Sequence, residues 1–350
     1  MPENKGSNRK VISIFGAGGF IGSHLVKSLL AEMPELDVIC IDRVRDKLER
    51  IAGHGGYQFI SNDIRKANGK IDEIIEVSDY VIDLIAYANP HIYLKRPIEV
   101  IELNLFDNLK IVDLCLKHGK YLMQFSTCEV YGITGGSTKP FNEDNTNLIL
   151  GPIRNRRWVY SCAKQLLERM VNAKGLDNGL NYSIVRPFNF IGPEMDFLIK
   201  SIGGDHPRVF PHFMSSLLFD NPMYLVDGGL SQRTFTYIDD AISGIICILQ
   251  SGKAANREIF NIGTPDNETT IRDFGLLMRR CYEELTGKKS RSKIVPIDSN
   301  EFYGEGYEDC DRRIPDVKKL TSLGWTPKFG LEESVKKSIL HYITHVKHLK

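Results

Sequence analysis

Nowhere in this 350-residue chain do some 18 apolar residues run together, so no segment reads as a membrane span. The first ten residues are polar and basic and lead into no apolar core of the kind a signal peptide carries. A cytoplasmic protein is expected. No two cysteines have CxxC spacing, and their number is odd: 40, 115, 128, 162, 247, 281 and 310. Several sit among strongly apolar neighbours, as in Ile245-Ile246-Cys247-Ile248-Leu249. They read as reduced thiols rather than as a disulfide frame, a zinc site or any other metal site. Charge of one sign is lacking as well. With 45 Lys and Arg against 44 Asp and Glu, the net charge is +1 and there is no basic stripe, which excludes nucleic acid as a partner. Internal repeats and low-complexity tracts are absent.

A composition of 42% hydrophobic and 25% charged residues suits one large core and a smaller second one. Val11–Phe15 is a β-rich run ending in glycines, followed by apolar residues at helical spacing over 20–30, which predicts strand, tight turn and helix. A second strand is predicted at Asp37–Asp42. Further β-like runs occur at 57–60, 80–85, 121–125 and 182–185, with helical segments such as 97–118 and 161–173 between them. Strands alternating with helices predict an α/β fold with a Rossmann doubly wound parallel sheet. After Arg186 the texture turns to Gly/Pro-rich loops. The stretch 193–211 reads as loop, 232–249 as a strand leading into a helix, and the region from Asn267 as helical and charged, with a Gly/Tyr/Asp-rich loop at 302–313. The predicted organisation is a dinucleotide-binding domain of 8–188 with 230–262, and a smaller discontinuous substrate domain of 189–229 with 263–348.

In Gly16-Ala17-Gly18-Gly19-Phe20-Ile21-Gly22, missing side chains let backbone N–H groups approach a pyrophosphate and put a helix N-terminus at the anion. Gly16, Gly19, Phe20, Ile21 and Gly22 are the candidates there. Asp42, at the end of the second strand and at the expected interval, would accept hydrogen bonds from ribose hydroxyls and repel a 2′-phosphate. NAD is therefore favoured over NADP, although the adjacent Arg43 offsets part of that exclusion. Asp63 and Ile64 after the third strand would edge the adenine, and Ala86 and Ala88 would leave room for the dinucleotide. The rival reading makes Asp63 a turn cap and the alanines packing.

Tyr160 and Lys164 stand at i and i+4 and so share a helix face. An ammonium beside the phenol, together with an oxidised nicotinamide, favours the phenolate, which can take a hydroxyl proton as hydride leaves. Both residues count with the cofactor site as well as with the chemistry, and Thr127 offers a hydroxyl partner. The rival is an ordinary amphipathic helix. Glu129 is an acid that alcohol oxidation does not need. It reads either as a second-step group or as a solvated or helix-capping carboxylate, and Cys128 either as a group of the cleft or as a small buried residue. If both face the cleft, oxidation at C4 of a hexuronate would create a β-keto acid, and Glu129 would promote loss of carbon dioxide by charge repulsion or proton transfer. On the strength of the resemblance described below, Arg313 would hold the carboxylate and then protonate or stabilise the enolate. Its rival reading is a surface ion pair.

Several segments carry a resemblance: Phe125-Ser126-Thr127-Cys128-Glu129-Val130-Tyr131-Gly132, Arg157-Trp158-Val159-Tyr160-Ser161-Cys162-Ala163-Lys164-Gln165, Arg186-Pro187-Phe188-Asn189, Val226-Asp227-Gly228-Gly229 and Glu301-Phe302-Tyr303-Gly304-Glu305-Gly306-Tyr307. The chain resembles the extended short-chain dehydrogenase/reductase superfamily over nearly its whole length. More narrowly it resembles the UDP-glucuronate-decarboxylating branch and its UDP-apiose/UDP-xylose synthases. The resemblance implies Tyr160 as base supported by Lys164, Thr127 and Cys128 near the reacting carbons, and Glu129 with Arg313 for decarboxylation and protonation. It also implies Asn189 on the sugar or diphosphate, Arg208 and Arg233 on the diphosphate side, and Tyr307 on the uracil. A homodimer pairing helices 97–118 and 161–173 is implied too. Ala88 stands where the apiose synthases have a cysteine, Asn89 where Thr is usual, Glu194 where relatives have Arg and Tyr224 where they have Lys. The first change bears on ring contraction, and the last two remove positive charge expected near an anionic ligand.

These observations lead to an NAD-dependent nucleotide-sugar lyase that oxidises UDP-glucuronate at C4 and decarboxylates it to UDP-4-keto-pentose, UDP-xylose or UDP-apiose. One alternative keeps the oxidation but acts on a neutral nucleotide-hexose by epimerisation, dehydration or ring contraction. Another is a non-catalytic dinucleotide-sensing protein, which would not need Tyr160 and Lys164.

Overall fold

The computed structural model describes residues 9–53, 55–66, 69–196, 198 and 207–349. Six strands, β1 (Val11–Phe15), β2 (Asp37–Asp42), β3 (Tyr57–Ser61), β4 (Tyr80–Asp83), β5 (Tyr121–Phe125) and β6 (Tyr182–Pro187), join with Glu258–Ile262 in one sheet. Its order is β3-β2-β1-β4-β5-β6 followed by Glu258–Ile262, and every neighbouring pair is parallel. This is the doubly wound sheet the alternation predicts. The chain reverses direction across the sheet between β1 and β4, the switch point outside which such sheets bind ligands.

Side chains alternate across β1: Ile12 and Ile14 enter one core, Phe15 the other. The first core includes helix α1 (Phe20–Glu32) and the helices Val209–Phe219, Ile238–Gln250, Ile271–Thr286 and Leu331–Leu349. The second packs the segment from Pro97 to Lys117 and the helix Val159–Asn178 on the opposite face. The 97–118 expectation is met by two α-helical pieces with a π-helical segment, Glu102–Asp107, between them. Within it Asn104 donates its side-chain amide to the carbonyls of Val100 (2.8 Å) and Tyr87 (3.3 Å) and accepts from Tyr87 N–H. Asn108 donates to Ile85 O at 2.9 Å. These bonds pin the chain just beyond β4.

After β6, three small pairings organise the remainder. Phe190–Ile191 runs parallel to Thr236–Tyr237, and Met223–Val226 parallel to Ile294–Ile297. Gln232–Thr234 lies between Glu268–Thr270 and Arg312–Arg313, with Arg233 directly opposite Arg313. Of the loop read at 193–211, residues 197 and 199–206 lie outside the described residues, and Val209 already opens a helix. The loop read at 302–313 begins at the end of a short helix, Ser299–Tyr303, and ends in the Arg312–Arg313 strand.

A buried ion pair ties sheet to helix. Arg186 on β6 donates to both Glu168 oxygens, at 2.9 and 2.6 Å, and to Tyr131 Oη at 2.8 Å. The Tyr131 hydroxyl donates in turn to Asn261 at 2.8 Å. Glu168 shares its helix with Tyr160 and Lys164, and Tyr131 closes the turn that starts at Cys128, so one guanidinium braces both catalytic candidates. Removing one partner of a buried pair strands the other charge. Arg186→Met is expected to cost about 3–5 kcal/mol in chemical denaturation, and adding Glu168→Leu should recover most of the loss.

Candidate functional site

The glycine turn follows β1 directly. Gly16 has a φ of 85°, in the left-handed region, and Gly19 N–H bonds back to Gly16 O at 3.1 Å before α1 begins at Phe20. The first-turn N–H groups of Phe20, Ile21 and Gly22 have no acceptor within the helix. A Cβ on Gly22 would lie 2.4 Å from Gly16 O and one on Gly18 2.1 Å from Val44 O, whereas one on Gly19 would be 3.2 Å from Gly16 O. Gly22 thus serves close packing of turn against helix, while Gly19 lines a cleft. The Phe20 ring turns into the core, edge-on to His24, and Ile21 packs against the same core, so what these two offer a ligand is backbone.

That cleft brings together Gly16, Gly19, Asp42 and Arg43 on one side and Asp63, Ile64 and Ala86 on the other. Asp42 accepts from Gly18 N–H (2.9 Å) and Arg43 N–H (2.6 Å), which fixes the carboxylate at the rim. Asp63 both caps its turn, accepting Arg65 N–H at 3.1 Å, and lines the cleft. The Arg65 guanidinium holds its carboxyl down at about 2. Asn62, Arg65 and Tyr87 also line this cleft and were not singled out by sequence reasoning. A glycine cradle that side chains would fill, a helix N-terminus and a carboxylate at the end of β2 fit an adenine dinucleotide.

A second cleft opens beside it, lined by Ala88, Asn89, Glu129, Asn189, Arg208 and Tyr224, and further by Arg233, Tyr307 and Arg313. Tyr160, 4% exposed, is not among the residues lining either cleft; its ring stacks on Tyr93 at 4.8 Å and packs with Ala86 and Tyr87 of the dinucleotide cleft. Thr127 caps the turn Cys128–Tyr131 by accepting Glu129 N–H at 3.1 Å, and its hydroxyl also hydrogen-bonds the Tyr160 side chain. Lys164, nearly fully buried, donates to Phe125 O at 3.0 Å. Burial and then the Glu129 charge push the Tyr160 phenol up, opposed first by its bond to Thr127. Burial brings the Lys164 amine down to about 8 against the opposing charges of Asp83 and Glu168.

Glu129 is neither solvated nor a helix cap. It accepts from Arg157 at 2.6 Å, with Arg313 at 3.9 Å. Burial would raise its carboxyl, but the two guanidiniums prevail and the net direction is down. Arg313 is 3% exposed, not a surface residue, and bonds Asp309 at 3.1 Å. Asp309 also pairs with Arg233 at 2.6 Å, and against burial Arg233, Arg313 and Arg157 hold its carboxyl far below the usual range. Cys128 is buried beside this network, its thiol pushed up to about 11 by burial with Arg313 pulling the other way. Asp309 was missed, although it stands four residues before Arg313. Arg157 was quoted only as part of a motif; its partner lies 28 residues away in the chain.

Asn189, at a φ of 40°, donates to Thr234 O at 3.0 Å. Arg208 is engaged by both oxygens of Asp196, at 2.8 and 2.6 Å. Tyr307 stacks on Tyr303 at 4.1 Å. Of the two departures expected to lower positive charge at the ligand, only Tyr224 does, stacked on His212 in the cleft wall. Glu194 turns away, its carboxylate meeting Arg50 at 3.1 Å and His341 at 3.4 Å, so its backbone position at φ 60° points it at other elements.

The model of the NAD dependent epimerase/dehydratase family matches residues 12–263. The chain belongs to this family. NAD is accordingly its cofactor, and the glycine cradle and Asp42 are the features that fit it. The chain is 41% identical to UDP-D-apiose/UDP-D-xylose synthase 1 of Arabidopsis thaliana, across 94% of the chain and 90% of the plant protein. It is 40% identical to UDP-D-apiose/UDP-D-xylose synthase of Oryza sativa subsp. japonica, across 94% and 88%. The crystal structure of the PbgP3 protein from Burkholderia pseudomallei superposes with a TM-score of 0.85 at 32% identity, covering 98% of each chain.

Two glycine variants separate packing from cofactor approach. Gly22→Ala is expected to destabilise the epimerase/dehydratase by about 1–3 kcal/mol and to abolish NAD binding with it. Gly19→Ala should melt within a few degrees of the parent yet bind NAD at least tenfold more weakly in a titration.

Proposed function

We propose that the protein oxidises UDP-glucuronate at C4 and decarboxylates it to a UDP-pentose. The observation that carries this reading is Glu129 and Arg313 meeting at the cleft beside Tyr160, with the buried donors Arg157 Nε and Arg313 Nε lacking an acceptor among the described residues. A site for neutral sugars has no use for unsatisfied guanidinium donors there. Bound in its cleft, NAD supplies the hydride acceptor. Tyr160 takes the proton of the sugar's 4-hydroxyl, Thr127 orients the phenol, and the Lys164 ammonium lowers the cost of the phenolate. With C4 a ketone, the substrate is a β-keto acid. Arg313 and Arg157 orient its carboxylate, and Glu129 opposes that negative charge, which favours departure of neutral carbon dioxide.

Arg313 is not the proton donor of the second step, because a guanidinium stays charged in proteins and Asp309 and Glu129 push its pKa further up. Its part is to stabilise the enolate. The Cys128 thiol, still protonated at neutral pH, can return the proton, and return of the hydride to C4 would then give the UDP-pentose. Arg208, Arg233 and Asn189 serve the diphosphate and sugar, and Tyr307 the uracil. The domain division at 188/189, 229/230 and 262/263 goes with this reading, as does a cytoplasmic location, supported by the seven unpaired thiols. Ala88 places a methyl at the cleft, which supports an unbranched pentose product over ring contraction.

The protein is further proposed to be a homodimer. Ile98, Phe106 and Leu166 are exposed at 66%, 57% and 46% on helical segments packed side by side. Phe106→Glu combined with Leu166→Glu should halve the mass measured by light scattering; a monomeric parent would overturn this.

Mass spectrometry of the purified protein with NAD and UDP-glucuronate should show a product lighter by one carbon dioxide. Tyr160→Phe should slow its formation by about 10²–10⁴-fold. Consumption of a neutral nucleotide-hexose without carbon dioxide release from UDP-glucuronate would sink the decarboxylase reading.

A further inference from the structure

Lys164 does not end at the carbonyl it touches. Phe125 O, which accepts the Lys164 ammonium at 3.0 Å, lies 3.4 Å from Gln124 Nε2, and the same Nε2 donates to Asp83 Oδ2 at 2.9 Å. Asp83 and Gln124 are cross-strand partners in the β4–β5 register. Both are fully buried and Lys164 is 1% exposed, so amine, carbonyl, amide and carboxyl form one line from the catalytic helix into the sheet. The other Asp83 oxygen accepts Ile85 N–H at 3.0 Å, on the segment that walls the NAD cleft.

Burial raises the Asp83 carboxyl, and the Lys164 charge with the Gln124 and Ile85 donors works against that rise; packing alone gives no reason for a carboxyl at this position. The charges around Lys164 leave Asp83 distinctive. Glu168, one turn on in the same helix, is already held by both arms of Arg186, and Tyr160, one turn back, is a neutral phenol. Cys115, from the helix Asn108–Lys117, faces Asp83 as a neutral thiol. The described hydrogen-bond donors to Asp83 are the neutral groups of Gln124 and Ile85. Asp83 is also the first of the charges that resist the lowering of the Lys164 amine by burial.

We propose that Asp83 is a positioning residue for the Tyr160 proton transfer, the buried counter-charge that keeps Lys164 an ammonium through the Gln124–Phe125 relay. This rests on the reading of Tyr160 and Lys164 given above. Its consequence has a definite sign. Taking away the Asp83 charge makes the ammonium harder to keep, so Lys164 loses its proton at lower pH and turnover falls earlier on the alkaline side. Gln124 suits an Asn at position 83, since its Oε1 has no partner among the described residues and a half-turn of the amide lets it accept.

The test is a pH titration of the Lys164 side chain by NMR in full-length protein labelled with 13C-lysine, its signal assigned by loss in Lys164→Arg. In Asp83→Asn the midpoint should fall by about one unit or more. Gln124→Met, which removes the donor that favours the ionised carboxyl, should shift it the same way and serves if Asp83→Asn does not fold. A midpoint unchanged in the variants that fold overturns the proposal. The titration needs no substrate. A lowered midpoint accompanied by an unmoved alkaline limb of turnover would uphold the relay and instead overturn the catalytic reading of Lys164.

Discussion

Charge held away from water is the constraint on which the rest of this structure depends. Arg157, Arg233 and Arg313 are each buried at the carboxyl end of the sheet, and the carboxylates interleaved with them are Glu129 and Asp309. Three cations against two anions leave a surplus of one positive charge in a region where unpaired charge is expensive. Geometry follows from that imbalance. The strand pairing of Arg313 with Arg233 brings two guanidiniums side by side, which only an intervening acid makes tolerable, and Asp309 lies between them because its loop curls back from Tyr307.

The same accounting separates the two clefts. On the dinucleotide side, recognition is carried by backbone and by one carboxylate at a strand end, and the adjacent guanidinium of Arg65 is spent on Asp63. On the sugar side it is carried by side chains whose charges are shared among partners. Tyr160 is buried and stacked on Tyr93, packed with Ala86 and Tyr87 of the dinucleotide side. Burial raises its phenol, so any phenolate there would need charge supplied by its neighbours.

Local patterns were the legible part of the sequence. The glycine turn, Asp42 at the end of the second strand and the i, i+4 pair of Tyr160 and Lys164 are each written within a few residues, and the alternation of strands and helices implied the sheet. Partners separated along the chain were not legible. Nothing near Glu129 names Arg157 as the group that holds it, and nothing near Lys164 points to Asp83 on another strand. Nothing in the motif shows that the Glu194 carboxylate meets Arg50 and His341 rather than the cleft.

The π-helical segment Glu102–Asp107 has a bearing on heredity of form as well as on local packing. It widens the helix by a fraction of a residue per turn, and in doing so lets Asn104 and Asn108 both reach the chain beyond β4 while Phe106 stays outside. Loss of one residue there would wind the segment back to ordinary α-helix and rotate everything after it by about 100° about the axis. Both asparagines would then lose their bonds to Ile85 and Tyr87, which line the dinucleotide cleft. The number of residues in that helix thus bears on the shape of the cleft, and a length change far from the glycine turn would be felt there.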